Sequence, residues 1–498
     1  MTDRIARFFG LHEQPKRVRY LAKMAAIFMP LFGVTFTVSS TFTTVYIAEA
    51  LVGPDHYLTL GMALVGNLAF LSSIIQLVLD YPTGGIGDWI GQRWILLTAF
   101  LCIAASTIYT AFAKTLFEFL LVYVIQAVGF AQLSGAFSAY FDTNYRAVAD
   151  DPKRSAYSVA MGRQGMLYQV VAMLSLVPGA VLADLISRQG VFLLQGGLCV
   201  TIALTALALL RDFPEVAMNR PRRSMREYYG VLKDGVKFSF SSKFVCFYIL
   251  GTVIAFSTFS VWGEMILFSI YYSFLYDQKA VALFRMLLFF VDFISLERAG
   301  VWTKTLRPSR WIAVFTFLMA GGAVFYFVFA VITASLPSLL VNSVPVPFPW
   351  MFFQLPAVIV CFAFVIPSIF SSGASVLRRR VELDLIPDRT RNAIYSLFPT
   401  LRLLIAAPQL FFFSGILPIF GPSPVLIGLG FISTSGCLLI ALGMHFRPTT
   451  KKAEEPAKEE PPAVEADPTH TEQDPTVEGF IEPPQEELPG NPEEHSQE

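Results

Sequence analysis

Between residues 24 and 446 the chain alternates long, nearly unbroken apolar runs with short polar breaks. Crossing about 30 Å of hydrocarbon takes about 20 apolar residues in a helix. Twelve runs meet that length: 24–48, 58–80, 93–112, 116–141, 157–183, 190–210, 244–274, 280–299, 311–335, 348–373, 392–417 and 422–446. The pattern predicts an all-α membrane protein with twelve transmembrane helices, six on each side of a polar link. It divides the chain into an N-terminal segment (1–23), a first six-helix bundle (24–210), a link (211–243), a second bundle (244–446) and a tail (447–498).

The polar stretches differ in kind. Residues 1–23 are basic, with no apolar core of their own, which excludes a cleavable signal peptide. The link sets Arg220, Arg222, Arg223, Arg226, Lys233 and Lys237 among Tyr228, Tyr229 and Phe238. It reads as an amphipathic helix on the inner leaflet, or else as a plain solvated connector. The tail is rich in Pro and Glu and has too little apolar surface to offset the entropy of ordering, so it is expected to be disordered.

Composition agrees with a polytopic membrane protein: 54% of residues are hydrophobic, 15% are charged, and the mean hydropathy is +0.57. The formal charge of zero hides a split. From Arg447 onward fifteen Asp and Glu face four Lys and Arg, so the tail carries −11 and the body +11. Lys and Arg concentrate at the N-terminus, around Arg93, Arg146–Arg154, the link, Arg298–Arg310 and Arg378–Arg391, whereas the opposite loops offer little beyond Lys114, Arg188 and Lys279. The positive-inside rule then places both termini in the cytoplasm of a multi-pass protein of the cytoplasmic membrane. The five cysteines (Cys102, Cys199, Cys246, Cys361, Cys437) lie in apolar runs without metal-ligand spacing and read as packing residues. No metal or other cofactor is expected.

The most informative polar break is Asp80–Trp94, reading DYPTGGIGDWIGQRW. Three glycines at turn or helical spacing (Gly84, Gly87, Gly91) let backbones approach, and Asp88 is placed to accept from free N–H groups or from Arg93. The run reads as a tight charged hinge between the second and third spans. A worn second copy lies 217 residues on: Asp80 aligns with Glu297, and Arg93-Trp94-Ile95 with Arg310-Trp311-Ile312, while Val301 and Pro308 stand for Gly84 and Gly91. Repetition at about half the length is a mark of secondary transporters.

These features together resemble the major facilitator superfamily. Its turn signature, G-x-L-A-D-x-x-G-R-K, is matched here by Gly84, Asp88, Gly91 and Arg93, with Gln92 at the first basic position. The stretches SGAFSAYFDT (134–143) and IPDRTRNAIYS (386–396) fit as well. The resemblance implies two bundles that rock about a central site by alternating access, with spans one, four, seven and ten lining the cavity. It also implies that Asp88 locks one state by contacting the start of span eleven near Asn392.

Ionisable groups inside spans cost roughly 2.5–3.5 kcal/mol on insertion scales, so each requires a reason. Arg163, Glu264, Arg285, Asp292 and Arg402 are such groups. Glu264 and Arg285, in the outer halves of spans seven and eight, either pair with each other or leave Glu264 in the cavity as a proton carrier, with Asp292 a second candidate. Arg163 and Asp292 lie about eight residues from the inner ends of spans five and eight, at about equal depth. They are expected to form a gate at the cytoplasmic side, with Arg402 and Asp80 as its mirror, or else to bind helix-end carbonyls within one bundle. Glu297 belongs to the same interface. The hydroxyls of span one, including Thr37 and Thr41, together with Gln126, Gln132, Gln354 and Trp262, are candidates for the substrate wall, although such groups also serve as packing glue.

The expected function is secondary transport of a small organic solute by a monomer, coupled to protons, with efflux favoured over uptake. The alternative is a non-transporting receptor or scaffold that docks partners through its acidic tail. Beyond the solute, protons and the bilayer no partner is expected, and nucleic acid in particular is not. An enzyme is disfavoured by the lack of a nucleophile motif or His cluster, and an ATP-driven pump by the lack of a phosphate-binding glycine loop.

Overall fold

The computed structural model describes residues 2–447 except 134–135, 152–154, 219–229, 231–232, 234–236, 304, 341–353 and 386–390. The acidic tail and most of the basic link therefore lie outside the described residues. Every regular element among those described is helical. The first part of the chain forms α1 (Thr2–Phe8), α2 (Lys16–Thr37), α3 (Thr43–Val52), α4 (Met62–Ile90), α5 (Gln92–Thr110), α6 (Leu116–Leu133), α7 (Ala136–Val148), α8 (Ser155–Leu209) and α9 (Pro214–Met218). After the link come α10 (Lys243–Val261), α11 (Leu267–Leu275), α12 (Gln278–Trp302), α13 (Pro308–Leu318), α14 (Ala323–Leu340), α15 (Leu355–Leu385), α16 (Arg391–Phe420) and α17 (Pro422–His445). Two single turns are wound as π-helix, Tyr57–Gly61 before α4 and Trp262–Ile266 between α10 and α11.

Among the described residues ten helical stretches are long and apolar enough to cross a membrane. Two stretches explain the distance from the expected twelve. Val159–Leu209, at 51 residues, holds two of the sequence runs in one stretch. Ser187 interrupts it with a φ of 73°, inside the break expected between residues 183 and 190. α12 is 25 residues long but carries Lys279, Arg285, Asp292, Glu297 and Arg298, too many charges to qualify by apolarity.

The Asp80–Trp94 run departs from the expected hinge. Its backbone continues as the last turns of α4, and the break shrinks to Gly91, whose φ of 96° only glycine adopts cheaply, before α5 begins at Gln92. Span one shows the opposite behaviour, because residues 38–42 interrupt its helix between α2 and α3. Its hydroxyl side chains turn back onto the backbone there: Ser40 donates to the Thr37 carbonyl and Thr43 to that of Ser39. Such local bonds compete with helical ones, which is why a Ser/Thr-rich stretch is a natural place for a helix to break.

In lipid the apolar effect does not draw helices together, so close backbone approach and ring packing have to. α10 and α17 meet at Gly251 and Gly436, where a Cβ on either would stand 2.6 Å from the other helix's backbone. Farther along, Trp262 packs edge-on to Phe325 at 4.8 Å between ring centroids and against Phe329 at 5.3 Å, with Phe364 completing the cluster. Each such pair adds about 0.5–1.5 kcal/mol beyond area. Helices from before and after the link join chiefly through α4 with α16 and α8 with α12.

Candidate functional site

The break in span one exposes carbonyls that a continuous helix would consume, and side chains from beyond the link occupy them. Arg285 on α12 donates through Nη1 to the Ser40 carbonyl at 3.0 Å and to the Ser40 hydroxyl at 3.3 Å. Tyr272 on α11 donates to the Thr41 carbonyl at 3.2 Å. The guanidinium lies over the rings of Phe268 (5.2 Å) and Phe289 (5.6 Å), which hold it in register. One turn away, Ser269 donates to the Leu58 carbonyl at 2.9 Å.

A charged ring continues this closure at the same end of the protein. Arg188, just past the Ser187 break, pairs with Glu49 at the end of α3 (2.6 Å) and donates through Nε to Gln278 at the start of α12 (3.0 Å). Gln278 donates to Asp184, and Lys279 pairs with Asp184 at 2.7 Å. The ion-paired residues are partly exposed, so each pair is worth little alone, but the network, with Gln278 buried at its centre, draws three helix ends onto one another. Sequence reasoning missed it as a site. The signal available was Arg188 and Lys279, the few cations of otherwise uncharged loops, with Asp184 four residues before Arg188; nothing in the sequence linked Glu49 to them, since it lies 139 residues from Arg188.

Glu264 does not pair with Arg285, because Arg285 is committed to Ser40. Glu264 instead sits on the π turn, accessible although the protein surrounds it, beside the buried Trp262, Met265 and Ile266. The Glu264 carboxylate and the buried Tyr123 on α6 are close enough to interact electrostatically. Met265 on the same turn packs onto α4 at Gly66, where a Cβ would stand 2.5 Å from its sulfur. Neither a hydrogen bond nor an ion pair partners Glu264 among the described residues.

At the Asp80 end the expected gate pairs are apart. Arg163 is exposed and lies over the ring of Phe8 at 5.4 Å, while Asp292 is half-buried beside Ser368. The reason is geometric. α8 and α12 touch around Leu176, Ala180 and Ala282, and both charges lie beyond that contact in the direction away from Arg188. Asp80 accepts from Thr400 on α16 at 3.3 Å, so α16 does approach α4 there, but Arg402 is exposed and no ion pair joins it to Asp80 among the described residues. Glu297 is exposed, and Arg93 lies over Trp94 at 5.3 Å. The side chain of Asp88 lies outside the described residues, as does that of Asn392.

The remaining wall candidates separate into two groups. Thr37 donates back to the Gly33 carbonyl in a buried bond of its own helix, and Gln132, half-buried, accepts from the exposed Thr98. Trp262 is 2% exposed and enclosed by rings, which removes it from any accessible wall. Gln126 and Gln354 are half-buried, and the Thr41 hydroxyl is buried with no hydrogen-bond partner. Among the described residues no group of His, Cys, Asp and Glu could hold a metal ion.

Residues 24–398 match the Major Facilitator Superfamily. The chain belongs to that family. It is therefore a multi-pass membrane transporter and not an enzyme. Among solved structures it is similar to the nucleoside transporter NupG (11% identity over 87% of this chain and 100% of that one, TM-score 0.59). A D-xylose-proton symporter (14% identity, 84% and 95% covered, TM-score 0.55) shares the fold as well. So does a POT family transporter in complex with 5-aminolevulinic acid (15% identity, 82% and 94% covered, TM-score 0.54). No curated protein matches the chain.

Proposed function

We propose that this transporter is a proton-coupled carrier of a small organic solute that works by alternating access as a monomer, exporting its substrate across the cytoplasmic membrane. Its twelve spans form two six-helix bundles, 24–210 and 244–446, with α8 contributing spans five and six on either side of Ser187 and α12 serving as span eight. Both termini are cytoplasmic, which makes the Arg188 end the outer one and the Asp80 end the inner one.

The observation that carries this reading is the clamp on the span-one break. Arg285 and Tyr272, from one side of the link, hold consecutive carbonyls on the other, by bonds that an outward opening would break. On that reading the conformation is closed outside. Arg163 and Asp292, separated here, meet when the inner side closes, and Asp80 with Thr400 and Arg402 forms the second inner contact. Glu264 carries the proton, because it is the accessible carboxyl on the π turn and has no hydrogen-bond or ion-pair partner among the described residues. Gln126 and Gln354, both half-buried, bear on the solute, whereas Thr41 is as fully buried as Trp262.

The test is reconstitution in liposomes containing a pH-sensitive dye, with a mixed panel of solutes, for wild type beside Glu264→Gln and Asp292→Asn. Solute-driven proton movement that Glu264→Gln abolishes is the expected result. Solute flux without proton movement in the wild type would refute the coupling.

A further inference from the structure

Where the end of span one crosses α8, the packing leaves a cavity of about 290 Å³. Val34 and Val38 line it from span one, residues of α8 between Val171 and Leu182 form its long wall, and Leu194 and Leu198 close it beyond the Ser187 break. Two glycines bring the helices together beside it. A Cβ on Gly33 would stand 3.0 Å from the Tyr168 carbonyl oxygen, and one on Gly179 would run into the Val38 carbonyl. Between these contacts Pro178 interrupts the hydrogen-bond ladder of α8, because it has no N–H to give the Leu174 carbonyl, and a proline at such a place bends the helix. The wall carries no charged side chain. Its one side-chain hydroxyl, that of Ser175, already donates to the Val171 carbonyl at 2.7 Å. From Val171 to Leu182 the helix rises about 16 Å, so a cavity of this volume is long and narrow.

The mouth of the cavity is continuous with the surface that meets the bilayer. Leu174 is 57% exposed and Leu194 42%, and Val181, Leu185 and Leu204 extend the exposed apolar surface along α8. All of them lie in a stretch long and apolar enough to cross a membrane. A polar solute would lose its own hydrogen bonds in such a slot and gain none, whereas a hydrocarbon chain gains dispersion contacts along its whole length. We propose that one acyl chain of a bilayer phospholipid seats in this cavity and braces the broken turn of span one. Val38, the first residue of that turn, lines the cavity, and Ser40 and Thr41 just after it supply the carbonyls that Arg285 and Tyr272 hold. A chain packed against Val38 therefore supports the turn from the lipid side while the clamp holds it from the other helices. The headgroup stays at the bilayer surface, since the wall offers nothing to bind it. The inference is independent of proton coupling and of the direction of transport.

The seat is tested by photo-cross-linking of the full-length protein in phosphatidylcholine liposomes that contain a small fraction of the same lipid with a diazirine on its acyl chain, with adducts located by mass spectrometry. In the wild type, peptides holding Val171–Leu182 are expected to carry severalfold more adduct than those holding Phe411, Phe412 and Phe431, which are more than 60% exposed but lie outside the cavity. Val171→Phe and Ser175→Leu each fill the cavity, and each is expected to remove the excess while leaving adducts at the three phenylalanines unchanged, which also shows that the fold is intact. Equal labelling of the two regions in the wild type, or an excess that survives both substitutions, would overturn the seat. An excess abolished by a small fraction of free fatty acid would assign the cavity to the free acid and overturn the phospholipid. The brace is tested by hydrogen exchange of lipid-stripped wild type in detergent. The Ser40, Phe42 and Thr43 amides donate within and around the turn, and added phosphatidylcholine is expected to slow exchange over residues 38–43 severalfold. In Ser175→Leu the added lipid is expected to change exchange there little, because the leucine already occupies the place of the chain. Exchange in the wild type that lipid leaves unchanged would overturn the brace.

Discussion

Replacing Arg285 with methionine keeps most of the apolar stem and removes the two donated bonds to Ser40. In the present conformation the Ser40 carbonyl and hydroxyl would lose their charged donor, and the guanidinium would no longer lie over Phe268 and Phe289. Hydrogen bonds to a charged group contribute about 1.5–3 kcal/mol net. If the outward-open state lacks these contacts, the substitution shifts the balance toward it by that amount, which is about 10- to 150-fold in the population ratio. Distances between spin labels at Asp55 and Tyr276, both exposed and close in sequence to the clamp, read that ratio in a background freed of the five native cysteines. The variant is expected to gain a longer-distance population absent from the wild type, and Arg285→Lys, which keeps one donor and the charge, to fall between. An unchanged distance distribution in Arg285→Met would refute the reasoning, because it would mean that the clamp does not discriminate between states.

The other expectations are smaller or concern folding. Arg188→Glu sets two carboxylates against each other and should favour opening by about 0.2–1 kcal/mol, given how exposed the pair is, with Glu49→Arg in the same chain restoring part of the effect in the same label pair. Gly436→Leu inserts a side chain where backbone meets backbone and should cost about 1–3 kcal/mol, seen as a lower melting temperature of the purified protein, whereas an unchanged melt would show that α10 and α17 can separate freely. Phe8→Ala removes the ring beneath Arg163, worth about 0.5–1 kcal/mol at an exposed site, and so frees the arginine to meet Asp292. Labels on the inner ends of α8 and α12 should then move closer, and no change would count against the inner gate.

Much of this protein is legible in one dimension because a bilayer imposes a length and a polarity on every segment that crosses it. Some apolar runs match helices within a few residues, as at 422–446 against Pro422–His445, while others are offset, as at 348–373 against Leu355–Leu385, and the repeat with its turn motif pointed to the family. The charges within the spans were found as well, since any ion in hydrocarbon stands out against its surroundings. What the pattern could not supply was which partner each ion takes. Spacing along a helix gives depth but not azimuth, so Glu264 and Arg285, at similar depth on consecutive spans, looked like a pair. The π turn and the broken turn at residues 38–42 rotate side chains and release carbonyls in ways that no periodicity records. The π turn left Glu264 accessible between buried neighbours, and the broken turn left Ser40 to receive Arg285. Depth was written in the hydrophobic pattern, whereas partnership was decided by the angular positions that helices acquire only when they pack.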